Sequence, residues 1–195
     1  MKALALAALA ATLPPYLLTG CGGTRQSGPI GGCQGVSLGG EASFQPRGGV
    51  VYRHPVLLGT GQTMPGPFIV LLWGDGPDGG AASSVTQAQA CGLISDAGSP
   101  ATFSLAPQSV QFSLQDTLLA GPFQSTITDT ITDSSGMAQL TEDVAGGGDL
   151  NTLGPPCLTG DFTADLTAVD SFNGTPLDGG TTSRLTGQFG IPFCP

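Results

Sequence analysis

Thirty-two glycines and sixteen prolines are scattered through the 195 residues, and they cut the chain into runs too short for long helices. Charged residues make up only 10%, too few to give such helices a solvated face. Between the breaks the chain is short and apolar, or alternating, which is the pattern of strands joined by turns. Strands are expected at residues 36–44, 49–57, 67–73, 109–114, 123–132, 137–141, 161–169 and 184–191. In the 123–132 run, Phe123, Ser125, Ile127, Asp129 and Ile131 point one way, and Gln124, Thr126, Thr128, Thr130 and Thr132 the other. One stretch, residues 81–95, is free of proline and carries Val85, Ala88 and Cys91 at intervals of three, after Ser83 and Ser84 as N-cap candidates. No repeat with a period of 20 to 50 residues is present. The expected fold is all-β, an antiparallel β-sandwich or small barrel with one short helix packed across it.

The first twenty residues read differently. A positive start at Lys2 precedes an apolar stretch from Ala3 to Ala11, with a second apolar patch at Tyr16 to Leu18 after Pro14 and Pro15. This is the layout of a secretory signal peptide, too short and interrupted for a spanning helix. It ends in Leu18-Thr19-Gly20-Cys21. The ending resembles the lipobox of bacterial lipoproteins, with a branched apolar residue, two small residues that enter the peptidase site, and the cysteine. The resemblance implies cleavage before Cys21, diacylglycerol on its thiol and acylation, as by palmitate, of the new amine. Two or three acyl chains anchor stably, at about 0.8 kcal/mol per buried CH₂. Gly22 follows the cysteine. In the enterobacterial pattern, Asp at that place retains a lipoprotein in the inner membrane, so Gly22 implies the outer membrane of a two-membraned cell, with its periplasmic and surface faces both open.

Removal of residues 1–20 takes Lys2 with it and leaves Arg25, Arg47, Arg53 and Arg184 against fourteen acidic residues, a formal charge of −10. Such a surface repels phosphate backbones and anionic headgroups, which argues against nucleic-acid binding and against electrostatic membrane binding. Residues 21–35 hold almost no side chain suited to a core and are expected to be lipid anchor and flexible tether up to Cys33. The free part, about eleven residues, would span roughly 18 Å as a Gly-rich coil. Residues 36–195 then form a single β-rich domain of ordinary size.

Near the C-terminus, the segments Leu158-Thr159-Gly160-Asp161-Phe162-Thr163-Ala164 and Leu185-Thr186-Gly187-Gln188-Phe189-Gly190-Ile191-Pro192-Phe193-Cys194 are similar to the closing strands of uncharacterised myxobacterial lipoproteins. The similarity covers about the last forty residues and implies no activity. The turn region around Asn173-Gly174 and Gly179-Gly180 makes these segments an expected antiparallel hairpin. With Cys21 consumed by lipid, Cys33, Cys91, Cys157 and Cys194 should form two disulfides in an exported protein, and three pairings are open. A register that sets Phe162 opposite Phe189 also sets Cys157 opposite Cys194, so the expected bridges are Cys157–Cys194 and Cys33–Cys91.

Candidate chemistry is sparse. Gly35-Val36-Ser37-Leu38-Gly39 has the Gly-x-Ser-x-Gly form of a hydrolase elbow without the strand before it and helix after it that expose the serine. A serine hydrolase would need Ser37 beside His54, the single histidine. One histidine is also too few for a zinc site once the cysteines are bridged. Asp75-Gly76-Pro77-Asp78-Gly79-Gly80 lacks the alternating Asp spacing of a calcium loop and reads as a surface turn. Asp161 with Asp165, and Asp129 with Asp133, are four apart on one strand face, where solvated edges explain them. With one tryptophan and 6% aromatics, a sugar-cleaving cleft is poorly supplied. Asn173-Gly174-Thr175 is expected to be a turn. The expected role is therefore a lipid-anchored cell-envelope domain, structural or binding, not an enzyme and without cofactor or metal. Its partner is the membrane, reached through Cys21. The alternative is a lipocalin-like carrier of a small apolar ligand.

Overall fold

The computed structural model describes residues 24–40, 45–75, 86–97, 108–115, 118–132, 138–152, 156–170 and 182–195. The elements are β1 (Arg25–Gln26), β2 (Gly35–Gly40), β3 (Gln45–Leu57), β4 (Thr63–Asp75), α1 (Gln87–Ala97), β5 (Gln108–Leu114), β6 (Gly121–Thr132), β7 (Ala138–Thr152), β8 (Cys157–Asp170) and β9 (Thr182–Pro192). All nine strands form one antiparallel sheet in the order β1-β2-β9-β8-β7-β6-β5-β4-β3. The two edges curl toward each other. Gln45 Nε2 of β3 donates to the Gln26 carbonyl of β1 at 2.9 Å, and Cys194 N donates to the Val51 carbonyl at 2.7 Å. A parallel bridge joins Val51 to Phe193 across the same seam. The sheet is thus a nearly closed barrel with one short helix.

Alternation sends one set of side chains inward. Val36, Leu38, Val51, Val70, Leu72, Val110, Phe112, Ile127, Leu150, Leu158, Phe162, Leu185, Phe189 and Ile191 form one buried cluster. Phe112 lies among Phe123, Phe162 and Phe189 at ring distances of 5.5, 5.3 and 5.8 Å. Side chains fill this interior, as in other small barrels. A second cluster lies outside the wall. Val50, Tyr52, Ile69, Leu71 and Trp73 point away from the interior and are covered by Ala90 and Cys91 of α1 together with Cys194. Both faces of β3 and β4 are buried there, which explains the unbroken apolar run Phe68-Ile69-Val70-Leu71-Leu72-Trp73.

Four expectations need correction. The β8–β9 hairpin forms, but Cys157 is opposite Pro192 and Phe162 opposite Gly187, two residues from the expected register. A Cβ on Gly187 would collide with the Phe162 ring, and one on Gly160 would lie 2.8 Å from Phe189 Cζ. Each phenylalanine therefore lies over the glycine of the opposite strand, and the rings meet diagonally at 6.4 Å. The inward face is unchanged because a shift of two keeps side-chain parity.

The disulfides change with the register. They are Cys33–Cys157, with Cα atoms 5.8 Å apart, and Cys91–Cys194, at 5.6 Å, in place of Cys157–Cys194 and Cys33–Cys91. Cys194 lies beyond the end of β9, where its backbone bonds to β3 and carries it to α1.

Thirdly, residues 24–35 are not a free tether. Arg25 and Gln26 pair with Leu38 and Ser37, Ser27 N donates to the Val36 carbonyl at 2.8 Å, and Val36 N donates back to Ser27 Oγ at 2.8 Å. Ile30 and Cys33 exchange both backbone bonds around Gly31 and Gly32, whose φ values of 55° and 83° suit a tight I′ turn. Finally, α1 begins at Gln87. Thr86 and Gln89 cap it reciprocally, with Gln89 N donating to Thr86 Oγ1 at 3.3 Å and Thr86 N to Gln89 Oε1 at 2.9 Å. This is a Thr-x-x-Gln capping box. Ser83 and Ser84 lie outside the described residues.

Candidate functional site

The outward positions of β1, β2, β9, β8 and β7 form rows across the barrel wall. The registers align Gln26, Ser37, Gln188 and Asp161 in one row, Gly39, Thr186 and Thr163 in the next, and Gly35, Gly190 and Thr159 on the other side. Two adjoining hollows of about 410 and 340 Å³ lie over these rows and share Ser37, Asp161 and Gln188, so they make one shallow trough. Gln34 and Asn151 close one end, and Thr24 with Thr163 the other. Gly35 and Gly190 let the chain from Ser27 to Gln34 lie against the wall, since a Cβ at Gly35 would collide with the Gly28 carbonyl and one at Gly190 would meet Gln34 Cβ at 3.0 Å.

Glycines, Phe162 and Phe189 make up much of the lining, and the remaining side chains, Asp161 apart, are neutral hydroxyls and amides able to donate and accept hydrogen bonds. Asp161 is the carboxylate of the trough, and its Oδ1 accepts from the backbone N of Asp149 at 3.3 Å. Thr159 Oγ1 donates to the Asn151 carbonyl. At the margin, Arg184 donates Nε and Nη2 to the two carboxylate oxygens of Asp165 at 2.6 and 2.8 Å. Those bonds, with the guanidinium charge, hold the Asp165 carboxyl below the usual carboxylate range. Asp161 and Asp165 share a face of β8 as expected, but Asp165 is paired with a cation and Asp161 faces Gln188. The trough can offer a pattern of polar contacts to a hydrogen-bonding ligand. Among the described residues that line it, Ser37 lies between Gln26 and Gln188 in the register.

The other singled-out residues are dispersed. Ser37 is in the middle of β2, with strand partners on both sides, and not on a strand-to-helix turn. His54 is half-buried in β3, at the irregularity between Arg53 and Pro55, and is not among the trough's lining residues. Its neighbour Arg53 donates to the Gly66 carbonyl at 3.1 Å and lies 5.0 Å above the Phe68 ring. Asp75 is bound by Arg47 at 2.5 Å. Among the described residues no three His, Cys, Asp or Glu side chains gather as metal ligands, and no helix is long and apolar enough to cross a membrane. Residues 18–21, including Cys21, lie outside the described residues, as do Asp133 and residues 173–175 and the side chain of Asp129. The trough itself was not singled out in the sequence. Its signal is the alternation of Ser37, Thr159, Asp161, Thr163, Thr186 and Gln188 with apolar residues, which marks an outer face but not its shape.

Comparison with family models, with curated proteins and with solved structures finds no match.

Proposed function

We propose that this chain is a lipid-anchored domain of the bacterial cell envelope that works by binding and not by catalysis, anchored through Cys21 in the outer membrane. The observation that carries the binding role is the filled interior. Phe112 and its three ring neighbours occupy the space where a lipocalin-like carrier would hold a ligand, so recognition falls to the outer wall. The polar trough around Ser37, Asp161 and Gln188 is the concave part of that wall best supplied with hydrogen-bonding groups. The chain's acidity favours neutral or cationic partners over nucleic acid. Support for the anchor is Leu18-Thr19-Gly20-Cys21 after an apolar leader, together with a mature chain whose other four cysteines are all bridged.

The test is the Cys21→Ser variant in the native host, followed by fractionation and palmitate labelling. The variant should lose the label and either leave the membrane fraction or accumulate as uncleaved precursor. A variant that stays on the membrane with the wild-type mature mass would sink the proposal.

A further inference from the structure

A bound β1 leaves very little chain between the lipid and the barrel. Thr24 already lines the trough and Arg25 is paired with Leu38, so only Gly22 and Gly23 separate Cys21 from the folded domain. Three residue steps from Cys21 to Thr24 reach at most about 11 Å. The point of attachment is also defined. β1 runs antiparallel to β2, so Thr24 lies toward the end of the barrel where β2 finishes at Gly40, an end at which β8 and β9 reach further, to Asp170 and Thr182. The bond from Gln45 to Gln26 puts the start of β3 there too, and the pairing of Gln45 with Asp75 adds the end of β4. β3 and β4 are thirteen residues long, so at about 3.3 Å per residue and the usual tilt the opposite end is about 30 Å away.

Resting on the anchor proposed for Cys21, we infer that the barrel is docked end-on against the headgroups of the bilayer that holds its lipid, with the β1 end toward the membrane and the far end away. Charge does not set this orientation: Arg47 and Arg184 are each paired with an aspartate, and Asp129, Glu142 and Asp170 lie toward the same end of β6, β7 and β8. The short linker sets it. Exposed apolar side chains lie at the other end: Val56 opposite Met64 at the tip of β3 and β4, and Leu119 in the β5–β6 connection, level with the start of β4. A consequence is that the trough, lined by Thr24, opens beside the membrane surface.

The experiment places an environment-insensitive fluorescent amino acid at Thr163, exposed and level with Gly39, or at Leu119. Each full-length lipidated chain is incorporated into phosphatidylethanolamine and phosphatidylglycerol vesicles carrying a headgroup quencher. Quenching at Thr163 should exceed that at Leu119 several-fold, and a ten-residue Gly-Ser insertion between Gly23 and Thr24 should remove most of the difference. Equal quenching at the two sites in a vesicle-bound chain, or a difference untouched by the insertion, overturns the docking while leaving the anchor intact. A chain that carries no lipid and is not retained on vesicles overturns the anchor, and the docking with it.

Discussion

The β3–β4 and β8–β9 hairpins belong to the same sheet, yet their sequences look unrelated. In β8–β9, Leu158, Phe162, Ala164, Leu185, Phe189 and Ile191 enter the core while Asp161, Thr163, Asp165, Arg184 and Gln188 face outward. In β3–β4, Val50, Val51 and Tyr52 are buried in succession, as are Ile69 to Trp73. Alternation in a strand reports how many of its faces are covered, and a continuous apolar run in an antiparallel sheet requires a second layer. Here that layer is α1, a helix of only eleven residues with no acidic side chain in its first turn. Such a short helix is marginal alone. It is held by packing on Trp73 and its neighbours and by the Cys91–Cys194 bridge. One wall therefore keeps its register by ring-over-glycine contacts, and the other depends on a cover held by a crosslink.

That contrast can be broken first at Phe162. Phe162→Ala should cost about 3–5 kcal/mol in denaturant unfolding, and Gly187→Ala about 1–3 kcal/mol by crowding the ring. In the double variant the glycine change should cost much less than it does alone, because the ring is gone. Additive costs would mean that the two residues are not opposed.

Removing Cys91 and Cys194 together should cost about 2–4 kcal/mol. It should also redden the emission of Trp73, the sole tryptophan, as the cover frays. Removing Cys33 and Cys157 should cost a similar amount without touching that emission. Equal red shifts would erase the distinction between an inner and an outer layer.

Tyr52 sharpens the comparison by pH. Burial under α1 pushes its phenol from the ordinary 10.0 up to about 12. Below pH 10 the phenol is protonated in both folded and unfolded chains and contributes no slope. Between about 10 and 12 the unfolded chain releases the proton while the folded one keeps it, so stability should fall as pH rises. Comparing unfolding midpoints of wild type and Tyr52→Phe across that window isolates the effect, and parallel curves would refute it. The smallest change is at the cap. Thr86→Ala should lower stability by about 1 kcal/mol, read as faster amide exchange in the first turn of α1.

Much of this architecture was legible as pattern. The eight longer strands, the short helix, the final hairpin and the bridging of the four cysteines follow from alternation, glycine and proline breaks, and cysteine number. What was not legible depended on contacts between distant residues. Register in β8–β9 turned on rings seated over glycines, which a match of phenylalanine to phenylalanine misjudged, and the disulfide pairing moved with it. β7 was cut short at residue 141 because Gly146-Gly147-Gly148 looks like a break. In the structure β8 passes so close that a Cβ on Gly148 would strike the Asp161 carbonyl, so the glycine permits the pairing. The tether misled for a related reason. Its Gly31-Gly32 is a hairpin turn, and what orders it is hydrogen bonding to β2 and the Cys33 bridge, since there are few apolar side chains to bury. The trough belongs to the same class, being visible as an outer face in sequence and as a hollow only after five strands are aligned.

The sheet order also dictates a schedule for assembly. Strands β4 to β9 each pair with the strand before, but Gly35 of β2 waits for Gly190 of β9, and Cys33 and Cys91 wait for Cys157 and Cys194. A polypeptide delivered N-terminus first, from a ribosome or through a membrane pore, cannot close the barrel until β9 has emerged. A chain interrupted before β9 would leave β8 and β3 as raw edges and Cys91 an unpaired thiol, marks that proteases and thiol-handling enzymes can read. Closure at the seam thus depends on the strand that emerges last of the nine.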